Sequence, residues 1–273
     1  MPRIGTSPFA FPDFHGATRR LVLANLAAFF VLTLAGFTSG GVYNWLFAHF
    51  TLWPQAFLHG WIWQPLTYSL VQIGILSTLL GLLSLWFLAG FLQNFHSSSW
   101  VMSLYIVSVL GTAVAAIAIY LCSQALGFSL GQVPLYGSFG GNFGLLAAIG
   151  VLYGDTQFML FPLPIGIKAR YLAIIYALIA IASMFGAQSF YAFAQLGGAL
   201  AGFLYVRMAP RRGVSFALSE SWYGMRNRYY RWKRKRAARK FEVYMKSQGR
   251  TVRFDGSGRQ ITDEDHDDKT RWN

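Results

Sequence analysis

From Leu21 to Gly154 the chain carries no Asp, Glu, Lys or Arg, a run of 134 residues without a formal charge. A water-soluble protein of 273 residues needs charged surface throughout its length, so this block belongs in a membrane. A helix crosses the hydrocarbon core with about 20 apolar residues. The block therefore has room for several spans. Six are expected, at Leu21–Phe37, Leu66–Leu92, Val101–Leu121, Phe139–Tyr153, Tyr171–Phe185 and Ala192–Met208. The second is long enough to tilt. The fourth is short, as suits a helix that begins partway into the membrane.

The basic residues give the orientation. Arg3, Arg19 and Arg20 precede the first span, Lys168 and Arg170 stand between the fourth and fifth, and the remaining 18 Lys and Arg run from Arg207 onward. The connections 38–65, 122–138 and 186–191 have none. Positive residues stay on the cytoplasmic side, so both termini are expected in the cytoplasm. The net charge of +13 belongs mainly to the tail rather than to the fold. Cys122 is the sole cysteine and cannot close an internal disulfide. The first apolar run lacks a small-x-small cleavage pattern and reads as a retained span. Without glycosylation sequons, the compact chain suggests a prokaryotic inner membrane.

Three regions follow: a polar lead at 1–20, a membrane domain at 21–208 and a basic, aromatic tail at 209–273. The first outer connection holds Trp45, Trp53, Trp61 and Trp63, residues that favour the headgroup level. His49 and His59 lie there without a third ligand, so no metal site is expected. In the tail, nine of the fifteen residues 226–240 are basic: Arg226, Arg228, Arg231, Lys233, Arg234, Lys235, Arg236, Arg239 and Lys240. Tyr229, Tyr230, Trp232, Phe241 and Tyr244 are interleaved with them or follow. Ser219-Glu220-Ser221 can open a helix ahead of this stretch. A basic, aromatic helix beside a bilayer fits anionic headgroups, each basic residue contributing about 1 kcal/mol. Nucleic acid is the lesser alternative. The acidic run Asp263–Asp268 lacks the glycine and terminal glutamate of a calcium loop.

Two apolar helices are rich in small residues. Gly140, Gly144 and Ala148 recur every fourth position, as do Gly137 and Gly141. Ala194, Gly198 and Gly202 do the same. That spacing lets helix backbones approach closely. The first of these helices opens with Gly137-Ser138-Phe139-Gly140, the second with Ala194-Gln195-Leu196-Gly197. Upstream stand Trp63-Gln64-Pro65-Leu66-Thr67-Tyr68 and Leu85-Trp86-Phe87-Leu88-Ala89-Gly90, with Gln93 three residues on.

In this order and spacing the four stretches resemble the rhomboid intramembrane serine proteases over residues 20–208. The resemblance implies an all-α, six-span bundle. It also shows systematic departures. Where the family has a Gly-x-Ser-Gly nucleophile, this chain has Phe139. Where it has Ala-His before the glycine-rich helix, this chain has Gln195. Aligned from Trp63, the oxyanion-supporting positions fall on Gln72, Ser77 and Gly81. The family arginine becomes Gln64, and a glutamate becomes Gln93.

Phenylalanine has no nucleophilic atom. A serine hydroxyl is weak without a base beside it, and Ser138, the nearby hydroxyl, is about 100° round the helix from position 139. An amide such as Gln195 does not accept a proton at neutral pH. The histidines are His15, His49, His59, His96 and His266, none near the start of the last span. Lys168 is expected at the opposite end from the site. Loss of one oxyanion donor alone costs about 100- to 1,000-fold in rate. The sequence therefore points to a rhomboid-like protein with no catalytic residue, no metal and no cofactor, and its resemblance to inactive members of that family implies that it binds transmembrane segments of client proteins. Gln72, Gln93 and Gln195 either tie the bundle together or line a client groove, at about 0.6–2 kcal/mol per hydrogen bond. An active protease and a small-solute transporter or channel are the alternatives. The transporter lacks the buried ionisable groups or inverted repeats that such folds use.

Overall fold

The computed structural model describes residues 12–127, 133–160, 165–185 and 189–208, together with 226, 227, 229–233, 236 and 244. The chain forms two compact units, Met1–Val214 and Ser215–Asn273. In the first, the described residues are mostly helical: α1 Gly16–Thr38, α2 Gly40–Phe50, α3 Pro54–Leu58, α4 Gln64–Thr67, α5 Ile75–Gln93, α6 Ser98–Ala125, α7 Phe139–Leu152, α8 Ala169–Ser183 and α9 Ser189–Met208.

Four of these, α1, α5, α6 and α9, are long and apolar enough to cross a bilayer. The helices α7 and α8 have 14 and 15 residues. At 1.5 Å per residue they reach about 21–23 Å, short of the roughly 30 Å hydrocarbon core. The six apolar segments are thus present as helices, four of them of spanning length.

One expected span is broken. The stretch Leu66–Leu92, read as continuous, is α4, a 3-10 turn at Tyr68–Leu70, an extended piece and then α5. Gly74, the residue before α5, has φ +78°, a conformation that closes the extended piece and that a side chain rarely adopts. Gly137 N–H donates to the Tyr68 carbonyl at 3.0 Å, so the backbone freed by the break is paired with the segment leading into α7. Leu52 and Leu135 pair in the same region through two backbone hydrogen bonds of 2.9 and 3.0 Å.

The fold is also not purely helical. Between α7 and α8 lies an antiparallel hairpin, β1 Gln157–Leu160 and β2 Ile165–Lys168, with Gln157 opposite Lys168. Ala169 N–H donates to Thr156 O and Arg170 N–H to Gly154 O, which closes its base. Asp155 pairs there with Lys168 (3.4 Å) and Arg170 (3.3 Å). These ion pairs are solvent-exposed and add little to stability.

The centre of the unit is α7, apolar all round and buried on most of it. Glycines set how closely its neighbours come. A Cβ on Gly140 or on Gly198 would overlap Thr112 Oγ1 of α6, and one on Gly144 would overlap Ser108 Oγ. On Gly202 it would lie 2.6 Å from Gly144 O. A Cβ on Gly111 would strike Ala201, and on Gly197 it would strike Ala115. Ala148, one turn beyond Gly144, is fully buried. Gly140 against Gly198 and Gly144 against Gly202 make α7 and α9 parallel and in register, with α6 antiparallel to both.

Candidate functional site: a polar cluster at the head of α7

The register of α7 and α9 fixes how Gln195 stands along the bundle relative to the head of α7. Gln195 precedes Gly198 by three residues, as Gly137 precedes Gly140, so Gln195 comes level with the head of α7. Gly137 has φ +92° and turns the incoming chain into the helix. Ser138, the N-cap, is completely buried, makes no capping bond through its side chain, and its Oγ has no hydrogen-bond partner. It faces α5: a Cβ on Gly81 would lie 3.6 Å from Ser138 Oγ and 3.9 Å from Phe139 Cζ. At those distances a Cβ would sit in ordinary van der Waals contact, so this is where the head of α7 seats against α5. Asn142, one turn on, donates from Nδ2 to the Gly81 carbonyl at 3.0 Å, and its Oδ1 has no partner.

Around this point the bundle holds further buried amides and hydroxyls. Gln72 Nε2 donates to Asn25 Oδ1 at 3.0 Å, and Asn25 Nδ2 donates to the Leu21 carbonyl at 2.9 Å. Tyr68 donates to the Val109 carbonyl at 2.8 Å, tying the 3-10 turn to α6. Such bonds hold membrane helices together because an unpaired polar group in hydrocarbon is costly. Sequence reasoning identified Gln72 but passed over Asn25 and Asn142. Their signal was an amide inside an uncharged apolar helix.

The three glutamines do not line one groove. Gln72 is buried against α1. Gln93 is buried at another level of α1, where it accepts from Thr18 N–H (3.1 Å) and Thr18 Oγ1 (2.9 Å) and donates to the His15 carbonyl (3.1 Å). It caps the first turn of α1 from the end of α5, supplying a partner for an amide that has none inside the helix. Gln195 is half-buried on α9. Gln64 is likewise structural, buried with Oε1 on Trp53 N–H and Nε2 on the Ala48 carbonyl. Ser77 is exposed and donates to the Ile73 and Gly74 carbonyls of its own chain segment.

No base stands near Ser138 among the described residues. His15 precedes α1, His49 and His59 lie in the α2–α3 region, and His96 connects α5 to α6. His96 stacks on Trp100 at 3.9 Å and meets Tyr153 OH at 3.4 Å, at the other end of α7. Lys168 is at that end too, engaged with Asp155. His49 is stacked between Trp45 and Trp61 at 4.2 and 4.6 Å, and its Nδ1 bonds the Trp45 carbonyl. No cluster of metal-binding side chains occurs among the described residues.

Beside the cluster the bundle is open. Both α5 and α8 pack on α7, without packing closely on one another. Between them Phe139 is 38% exposed, and Phe143, one turn on, meets Tyr176 of α8 edge to face at 6.1 Å.

In the second unit Arg226, Tyr229, Tyr230, Arg231, Trp232, Lys233, Arg236 and Tyr244 are helical and exposed. Arg228, Arg234, Lys235, Arg239 and Lys240 lie outside the described residues, as do Ser219–Ser221, the acidic run and His266.

A mostly helical unit with four spanning helices and a buried polar centre defines a polytopic integral membrane protein. The chain belongs to the family described as Eukaryotic integral membrane protein (DUF1751), whose profile matches residues 20–213, more than two-thirds of its length. No curated protein matches it. The family is described as eukaryotic, so the expectation of a prokaryotic inner membrane has no support.

Proposed function

We propose that this chain is a rhomboid-like membrane protein that does not cut, and that it holds transmembrane segments of client proteins against the head of α7. The observation that carries this reading is Phe139. It occupies the place where the resemblance puts a nucleophile, and it is 38% exposed in the opening between α5 and α8. A large apolar side chain there presents a surface to another helix and leaves nothing to attack a peptide bond. Ser138 supports the same reading, since its hydroxyl is buried toward Gly81 with no base beside it. Close packing between membrane helices needs a fitted apolar surface and a few hydrogen bonds. Gln195, half-buried on α9 and level with Gly137, is the amide that would supply one.

The test uses full-length protein in proteoliposomes with a reporter transmembrane helix and a photoreactive phenylalanine analogue at position 139. A second sample carries the analogue at Leu121, an exposed position on α6. The expected result is crosslinking at 139 several-fold above that at 121, reduced by Gln195→Leu. Equal yields at the two positions would sink the groove.

A further inference from the structure

The second unit carries a surface of its own. Residues 226, 227, 229–233, 236 and 244 are helical wherever the chain is described there. Tyr229, Tyr230, Trp232 and Tyr244 are 58%, 49%, 53% and 58% exposed, far more than tyrosine and tryptophan usually are in a folded protein. At about 100° per residue, Tyr229, Tyr230 and Trp232 fall within one half of the helix circumference, and Arg231 falls opposite them. The ring of Tyr229 stacks on that of Trp232 at 6.3 Å, and the guanidinium of Arg236 lies 4.7 Å from the Trp232 centroid. The result is a ridge of rings with a cation held over it. Lys233 falls on the same half, and nine of the fifteen residues 226–240 are basic.

We propose that this helix is a peripheral docking surface for an anionic lipid leaflet, with the aromatic ridge at headgroup depth and the basic side chains reaching back to phosphate and carboxylate groups. Two observations fix the occupant as lipid. One is charge complementarity: a segment this basic needs an anionic partner, and Lys and Arg stems can lie along apolar surface while their heads stay in water. The other is tethering. Residue 226 follows the end of α9 at Met208 by 18 positions, a reach of at most about 60 Å of extended chain. The helix therefore meets the bilayer that holds α9 at high effective concentration. Tyrosine and tryptophan concentrate at the headgroup level, and each nearby basic residue strengthens attraction to an anionic leaflet about fivefold.

The experiment is hydrogen–deuterium exchange on the full-length protein in nanodiscs of phosphatidylcholine alone, and of phosphatidylcholine mixed with anionic phosphatidylserine. Exchange across 226–244 is expected to slow about tenfold in the anionic discs. The protection should fall as salt is raised, and it should be lost in the triple variant Arg231→Gln, Lys233→Gln, Arg236→Gln. Trp232→Ala should remove part of it with the charge intact. Exchange in α6 and α9 should be the same in every sample, which keeps a folding defect from passing as a binding defect. Equal exchange in the two disc types would overturn the proposal. So would protection in phosphatidylcholine discs on addition of an RNA oligonucleotide, which would assign the surface to nucleic acid.

Discussion

Gln93 shows how a single side chain can be read in two ways. Set beside a protease motif it looks like a neutralised glutamate. In the fold it is a cap: its amide oxygen takes two donors from Thr18 and its amide nitrogen reaches the His15 carbonyl. Gln93→Leu takes the acceptor from the buried Thr18 N–H and Oγ1 and is expected to destabilise the unit by about 1–3 kcal/mol, read as a fall in thermal unfolding midpoint in detergent. Gln72 and Asn25 form a pair of another kind. Each single change to Leu is expected to destabilise, and the double change to cost less than the sum, with a coupling of about 0.5–2 kcal/mol. Simple additivity would mean that the 3.0 Å bond carries no weight.

His96 adds a pH dependence. Burial lowers its pKa below 6.5, against the opposing effect of a hydrogen bond to the Leu92 carbonyl. The folded state thus resists protonation that the unfolded chain accepts. Its contribution is fully present above about pH 6.5 and is lost as the pH falls below that value. His96→Phe, which keeps the stack on Trp100, should flatten the stability profile between pH 7 and 5 (the window about the ordinary histidine pKa). An unchanged profile would remove His96 from the account. That Gln72 and Gln93 could tie the bundle together was legible in the sequence, but the partners they reach, and the place of His96, were not. A cap donated from another helix depends on which helices touch, and local spacing does not encode that. The glycines were legible, because a repeat of four is the same in sequence and in space.

At the scale of elements, α6, α7 and α9 are held by what their glycines lack. Gly140 and Gly198 both face Thr112, a side chain that can be trimmed. Gly140→Ala is expected to destabilise by about 1–3 kcal/mol, with partial recovery when Thr112→Ala is added. Gly202 faces the backbone of Gly144, with O at 2.6 Å and Cα at 2.7 Å, and backbone cannot be trimmed. Gly202→Ala should be at least as harmful, and no single side-chain change opposite it should rescue it. Comparable rescue at both sites would contradict the packing described above. The six long helices could be read from the apolar segments, with small shifts at their ends, whereas α2 and α3 lie in the stretch 38–65 that reads as a connection. The break before α5 could not. Leu66–Leu92 is apolar without interruption, and what stops the helix is the positive φ of Gly74 together with a hydrogen bond from Gly137, more than sixty residues away. The hairpin between α7 and α8 was missed for a similar reason. Its strands are four residues each and are closed by contacts to Gly154 and Thr156, too short to leave a period in the sequence.

At the scale of the molecule, a glycine-packed membrane unit of the eukaryotic integral membrane family is joined to a basic unit that carries most of the charge. The head of α7 gathers Gly81, Ser138, Phe139 and Asn142, with Gln195 level on α9. That head holds a part-exposed phenylalanine and a buried serine turned toward Gly81. Fold alone does not fix activity, and the site's own groups decide the matter. The most direct test reconstitutes wild type and Ser138→Ala in proteoliposomes with a transmembrane reporter substrate and a fluorophosphonate probe, beside an active intramembrane serine protease. The account predicts no cleavage and no labelling in either form while the control cuts. Cleavage and labelling by the wild type, both abolished in Ser138→Ala, would show a working nucleophile and contradict it.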